Sequence, residues 1–144
     1  MSTPHIRTLD DQEARAFLVR CHVGRMAFSL HDRVDIEPLH FVFDGEWIYA
    51  RTSQGSKIAS LAHRPWCAFE ADEVAGVFSW TSVVARGSVH LLDPEGGSVD
   101  TYLRALAAVR DIIPETFSAS DPVPQRSQLL GIFVQDITGR NATA

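Results

Sequence analysis

The run Arg51-Thr52-Ser53-Gln54-Gly55-Ser56-Lys57 gathers two cations, three hydroxyls and a glycine, a composition suited to holding a phosphate. Trp47-Ile48-Tyr49-Ala50 before it reads as a strand. Ser56 reads as the cap of a short helix that carries Ile58, Leu61 and Ala62 and is ended by Pro65. At such a junction unpaired backbone N–H groups point toward an anion, and the hydroxyls and cations add to them. The same residues also suit an ordinary capped turn, which uses Gly and Ser for its geometry. A P-loop is excluded. Its lysine directly follows the second glycine, whereas Gly55 is followed by Ser56, and the place of the first glycine is taken by Ala50. The run therefore points to a phosphorylated ligand and not to nucleoside triphosphate hydrolysis.

Other chemistry is thinly represented. His22, His31, His63 and His90 show no HExxH or related ligand spacing, so no metal site is expected. Asp35 and Glu37 alternate along one strand as a solvated edge would, which does not favour a carboxylate pair for glycoside chemistry. Cys21 and Cys67 have neither CxxC nor Cys/His spacing and read as reduced thiols of the core.

The elements that must position the run follow from the hydrophobic period. Ala14, Phe17, Leu18 and Cys21 recur at helical spacing after a cap at Thr8. Val23 to Leu30 reads as a strand, His31-Asp32-Arg33 as a turn and Val34 to Phe43 as a second strand. Asp44-Gly45 predicts a type I′ hairpin that pairs Phe41-Val42-Phe43 with the segment from Trp47 to Ala50. Strands follow from Trp66 to Glu70 and from Thr81 to Leu92. A helix opening at Asp93-Pro94-Glu95 then carries Val99, Tyr102, Leu103, Leu106 and Val109. Pro114, Pro122 and Pro124 mark an irregular connection, and Leu129 to Val134 reads as a last strand ending before Thr138-Gly139. About six strands, mostly antiparallel, with helices inserted between them, predict a small or half-open barrel.

The whole chain limits what the run can serve. With 144 residues and 45% hydrophobic content, residues 1–144 are expected to form a single domain without metal or disulfide staples. A net charge of −5 argues against a nucleic-acid partner. The N-terminus lacks an apolar leader and no stretch approaches the ~18 apolar residues that span a bilayer, so a cytoplasmic address without membrane attachment is expected.

The order of the pieces carries a resemblance. Val23-Gly24-Arg25-Met26-Ala27, Glu37-Pro38-Leu39-His40-Phe41, Asp44-Gly45 and the run from Arg51 to Lys57 resemble the pyridoxamine-phosphate-oxidase-like FMN-binding split barrels. Phe69-Glu70-Ala71-Asp72, Trp80 to Gly87 and Ile137-Thr138-Gly139-Arg140 extend the likeness over nearly the full chain, nearest the nitroimidazole-resistance branch. The resemblance implies a mainly β fold with inserted helices, an antiparallel split β-barrel, with FMN as cofactor. It implies that Arg51, Thr52, Ser56 and Lys57 grip the phosphate. Pro38, Leu39 and His40 would run along the ring edge, where Pro38 lacks a donor and the amides of Leu39 and His40 must serve.

Trp80, with Ser82 on the same strand, would approach the flavin, commonly from the second subunit of a homodimer with the cofactor between its subunits; the alternative for Trp80 is an interface anchor without ligand contact. His40 is the candidate proton donor near the ring, against the commoner packed or solvent-facing histidine. The implied activity passes electrons from NADH or NADPH through the flavin to a small planar acceptor such as a nitroaromatic. A deazaflavin-dependent reductase and a non-catalytic flavin sensor or carrier are the alternatives, and the family also contains haem binders. Oxidation of vitamin B6 is not expected, because Arg140 is the only basic residue near the end of the chain.

Overall fold

The computed structural model describes residues 3–58 and 66–144. In chain order the elements are β1 (His5–Thr8), α1 (Asp11–Arg20), β2 (Val23–Leu30), β3 (Arg33–Phe43), β4 (Trp47–Thr52), β5 (Trp66–Gly76), β6 (Ser79–Leu92), α2 (Val99–Ile112) and β7 (Gln128–Thr143). The strands pair antiparallel in the order β1-β7-β4-β3-β2-β5-β6, and β6 returns to pair with β7. That last pairing closes every strand but β1 into a ring, the antiparallel barrel that the sequence predicts.

Strand alternation turns Met26, Phe28, Phe41, Phe69, Val83 and Ala85 into the ring, where α1 adds Phe17 and Leu18. Each fully buried Phe, Met or Leu there contributes roughly 1.5–3 kcal/mol relative to exposure. A second cluster lies outside the ring, where Ala105 and Val109 of α2 cover Tyr49, Leu92 and Leu129.

The barrel is split at β3. This strand pairs with β2 from Arg33 to His40 but with β4 only at Phe41↔Ala50, Val42↔Tyr49 and Phe43↔Ile48. From 33 to 40 its second edge has no strand partner among the described residues.

Several local expectations are corrected. The cap of α1 is Asp10, which together with Glu13 forms a capping box, while Thr8 ends β1 opposite Arg140. The type I′ geometry falls at His31-Asp32, with φ of 53° and 61°, between the paired residues Leu30 and Arg33. Asp44-Gly45 instead opens a longer loop, in which the Asp44 carboxylate accepts from the amides of Glu46 and Trp47 at 2.9 and 2.7 Å. The strand partners predicted across that loop are nevertheless the observed ones.

The second helix starts after Ser98, not at Pro94, because Gly96 and Gly97 interrupt the first turn the sequence suggested. Of its predicted stripe, Val99 and Leu103 are exposed. The last strand runs on through Thr138-Gly139, where a side chain at Gly139 would press on Leu9 and Val83. The helix expected after Ser56, with Leu61, Ala62 and Pro65, lies outside the described residues beyond Ile58.

Candidate functional site

The open edge of β3 is where the fold leaves backbone groups without a ladder. The Phe41 amide donates to the His22 carbonyl at 3.0 Å, so odd-numbered residues of this strand turn their backbone groups toward β2. Even-numbered residues, Ile36, Pro38 and His40, face the open edge. Pro38 is tolerated there because an uncovered edge asks for no donor. Leu39 pairs with Gly24, so its amide is directed into the β2 ladder and His40 alone of the pair can offer an N–H on this edge. The His40 side chain is exposed, and that of Leu39 is in the core.

Alternation then divides the predicted phosphate run. Along β4, Ile48 and Ala50 point into the barrel and Thr52 follows them, while Tyr49 and Arg51 point to the other side. Two adjacent residues of an extended strand cannot address one ligand from the same face. Thr52 Oγ1 lies 2.8 Å from Ser56 Oγ, and Lys57 follows directly, so these three residues form one group. Arg51 stands apart from it. Its guanidinium is buried beneath the α2–β7 connection, paired with Asp121, donating through Nε to the Arg126 carbonyl at 2.9 Å, and carrying the Phe117 ring 4.9 Å away.

Two carboxylates accompany Thr52 and Lys57. Glu37 accepts from Thr52 Oγ1 at 3.2 Å, and Asp35 pairs with Lys57 Nζ at 2.6 Å. The hydrogen bond from Lys57, aided by the Ile36 amide, holds the Asp35 carboxyl below its ordinary range. The sequence read these two acids as a solvated edge. Instead they lie on the inward face of β3, half-buried, together with Leu39 and Phe41, because alternation from those core residues carries that face to the end of the strand.

Trp80 and Ser82 lie elsewhere on the ring. Following the ladder from Pro38 through Arg25 and Glu70 to β6 crosses three strand spacings, roughly 14 Å at the usual interstrand distance. Ser82 Oγ donates to Glu70 Oε2 at 2.9 Å, and Arg25 reaches Glu70 at 3.2 Å and Asp72 at 3.5 Å. Burial, with Asp72 beside it, raises the Glu70 carboxyl above its ordinary value. Trp80 donates its ring N–H to the Val77 carbonyl at 3.1 Å. It also borders a cavity of about 370 Å³ with Thr8, Ser82, Thr138 and Arg140.

One chain thus assembles Thr52, Ser56 and Lys57 beside the His40 edge, and keeps Trp80 and Ser82 as a separate group. Sequence reading missed Asp121, Asp35 and Glu37 as neighbours of the run. The parity of Arg51 against Thr52 was the available signal for the first of these. Among the described residues no group of three His, Cys, Asp or Glu side chains could hold a metal ion, and no helix is long and apolar enough to cross a membrane.

Known proteins agree with this architecture. A FAD-binding protein from Mesorhizobium loti superposes with a TM-score of 0.77 at 23% identity, covering 99% of this chain and 100% of its own. A candidate pyridoxamine 5'-phosphate oxidase from Corynebacterium glutamicum is 27% identical, with a TM-score of 0.67 over 97% of this chain and 94% of its own. A candidate 5-nitroimidazole antibiotic resistance protein from Bacteroides thetaiotaomicron gives 0.68 at 18% identity over 99% and 93%. No curated protein matches the sequence. The pyridoxamine 5'-phosphate oxidase family profile spans residues 10–141, from the cap of α1 to near the end of strand β7, and the chain belongs to that family.

Proposed function

We propose that the chain is a homodimeric flavoprotein that passes electrons from a nicotinamide to a small planar acceptor such as a nitroaromatic. The observation that carries this reading is the meeting of Thr52, Ser56 and Lys57 at the uncovered edge of β3, in a chain of this family. The residues suit a phosphate-bearing flavin: two hydroxyls, one ammonium and a strand edge with the His40 amide. Fold relatives described as binding FAD support a flavin, and the FMN inferred from the motifs is its simplest phosphorylated form.

In this reading Thr52 and Ser56 donate to the phosphate, and Lys57 leaves Asp35 to neutralise it. The His40 amide orients the ring edge, and the exposed imidazole stands where a proton could reach a reduced substrate. The bound flavin itself would supply the hydride-accepting ring. Arg51 has no part in the grip, since Asp121 holds it on the other face.

A second copy is part of the proposal because Trp80 and Ser82 stand too far round one ring to meet the same flavin. The exposed Val34 and Ile36 of β3, and Val74 and Val77 at the far hairpin, offer apolar surface for that contact. The absorbance spectrum of the purified protein, measured beside its mass in solution, tests both parts. Flavin absorbance on a dimer is expected, as is bleaching on anaerobic mixing with NADH or NADPH. A protein that stays colourless with added flavin overturns the cofactor. A flavin-loaded monomer overturns the shared site, and colour that persists with both nicotinamides overturns the reductase cycle.

A further inference from the structure

We infer that Ser82 passes a proton to an acceptor lying in the cavity beside Trp80, and that Glu70, paired with Asp72, supplies that proton from behind. The inference rests on the reductase reading above and adds the source of a proton to it. Two-electron reduction of a nitro group to nitroso consumes two electrons and two protons, breaks one N–O bond and releases water. A hydride equivalent, drawn from the nicotinamide through the cofactor, brings both electrons and one proton. The second proton must come from a group beside the acceptor.

The outer face of the ring carries such a group. Met26, Phe69, Ala71 and Val83 point inward, so alternation turns Arg25 of β2, Glu70 and Asp72 of β5 and Ser82 of β6 outward together. Arg25 Nη1 lies 3.2 Å from Glu70 and 3.5 Å from Asp72, so one guanidinium serves two carboxylates. With both ionised, the three side chains carry a net negative charge on a half-buried surface, and keeping one proton relieves it. Burial, and then the hydrogen bond to Asp72, raise the Glu70 carboxyl in keeping with this. Ser82 Oγ meets Glu70 Oε2 at 2.9 Å and also lines the cavity of about 370 Å³ that Trp80 borders. A hydroxyl both donates and accepts, so Ser82 gives its proton to the acceptor as it takes one from Glu70. The Glu70 side chain is 28% exposed and recovers its proton from water. It acts only through Ser82. Other charged groups around it are engaged or stand further off: Arg86 of β6 pairs with Asp136 at 3.3 Å, and Arg140 of β7 lies opposite Ser82. At the end of α1, beside Cys21, Arg20 pairs with Glu73 at 2.6 Å.

The test compares two acceptors on the flavin-loaded full chain: nitrofurazone, whose reduction needs the proton, and ferricyanide, which takes electrons alone. The ratio of nitrofurazone to ferricyanide turnover cancels any change in flavin content or in the rate of flavin reduction. S82A and E70Q should each lower that ratio about 100-fold, the lower end of what general acid catalysis contributes. S82T keeps the hydroxyl and should restore most of it. In the wild type the ratio should fall as pH rises through the raised Glu70 value, because the protonated donor is lost, and E70Q should lack this limb. Thermal unfolding of each variant establishes that it is folded. An unchanged ratio in folded S82A, or a limb that persists in E70Q, overturns the relay and leaves the reductase reading intact. A wild type that reduces ferricyanide alone overturns the relay and leaves the flavin reading intact. A wild type that reduces neither acceptor overturns the relay and the reductase reading together.

Discussion

Arg51 and Asp121 form a buried, two-pronged ion pair, with Nη1–Oδ1 at 3.2 Å and Nη2–Oδ2 at 2.5 Å and side chains only 4% and 2% exposed. Asp121 also accepts from the amides of Phe117 and Val123, and Arg51 donates to the carbonyls of Val123 and Arg126. The pair therefore ties the irregular connection between α2 and β7 to the end of β4, one residue before Thr52. Its satisfied lone pairs and protons are what make burial of two charges tolerable.

Removing one partner strands the other. R51A should lose about 3–5 kcal/mol in urea denaturation, as expected for a buried charge left unpaired. Replacing both partners by apolar residues of similar volume, R51M/D121L, should recover most of that loss. A single variant that unfolds at the wild-type midpoint would show that the pair is not closed in solution.

The same contact sets an acid limb. Hydrogen bonding from Arg51, supported by the Phe117 and Val123 amides, brings the Asp121 carboxyl down to about 2 from an ordinary value of 3.8. A depressed folded-state pKa gives stability that is present above the ordinary value and lost as pH falls toward 2. Stability of the wild type should therefore decline between about pH 4 and pH 2 more steeply than that of D121N. Parallel curves for the two proteins over that window would refute the assignment.

How much of this was legible in the chain depends on range. The β3–β4 pairing could be read because Asp44-Gly45 and the alternating residues around it are local, even though the loop took a different geometry. The closure of β7 on both β4 and β6 could not, since no short-range pattern specifies which distant strands meet. The direction of Arg51 was readable in principle from its parity with Tyr49. Its partner was not, because Asp121 lies 70 residues away in a proline-rich connection without periodicity. Asp35 and Glu37 were misread because polar residues on an alternating strand look solvated until the inward face is counted from Leu39 and Phe41.

The two thiols should be silent in the folded state. Burial alone pushes the Cys67 thiol up to about 12, and burial is also the main cause raising Cys21. Labelling with a thiol reagent at pH 8 should modify neither residue until urea unfolds the chain, when both should react at once. Rapid labelling of the native protein would contradict the packing of β5 and α1.

Gly87 tolerates no side chain. A Cβ there would lie 2.0 Å from the Phe133 carbonyl oxygen, at the point where the β6–β7 register shifts. The obstacle is backbone and cannot rotate away, so G87A should destabilise the fold by roughly 3 kcal/mol, the upper end for overpacking. A midpoint within experimental error of the wild type would mean that the irregularity in the ladder relaxes freely.

Lys57 and Arg51 should separate binding from folding. Lys57 is 67% exposed, and its ion pair with Asp35 lies at the surface, so K57A should leave the unfolding midpoint nearly unchanged. Flavin affinity should fall about 10-fold, the scale of one charge-assisted hydrogen bond to phosphate. Arg51 is the converse case: the conservative R51K keeps the charge but loses the fork that fits Asp121, so stability should fall. Flavin affinity measured on the fraction that remains folded should hardly change. Loss of affinity in R51K at full stability would return Arg51 to the phosphate, and would require β4 to turn its last residues from the faces they now occupy.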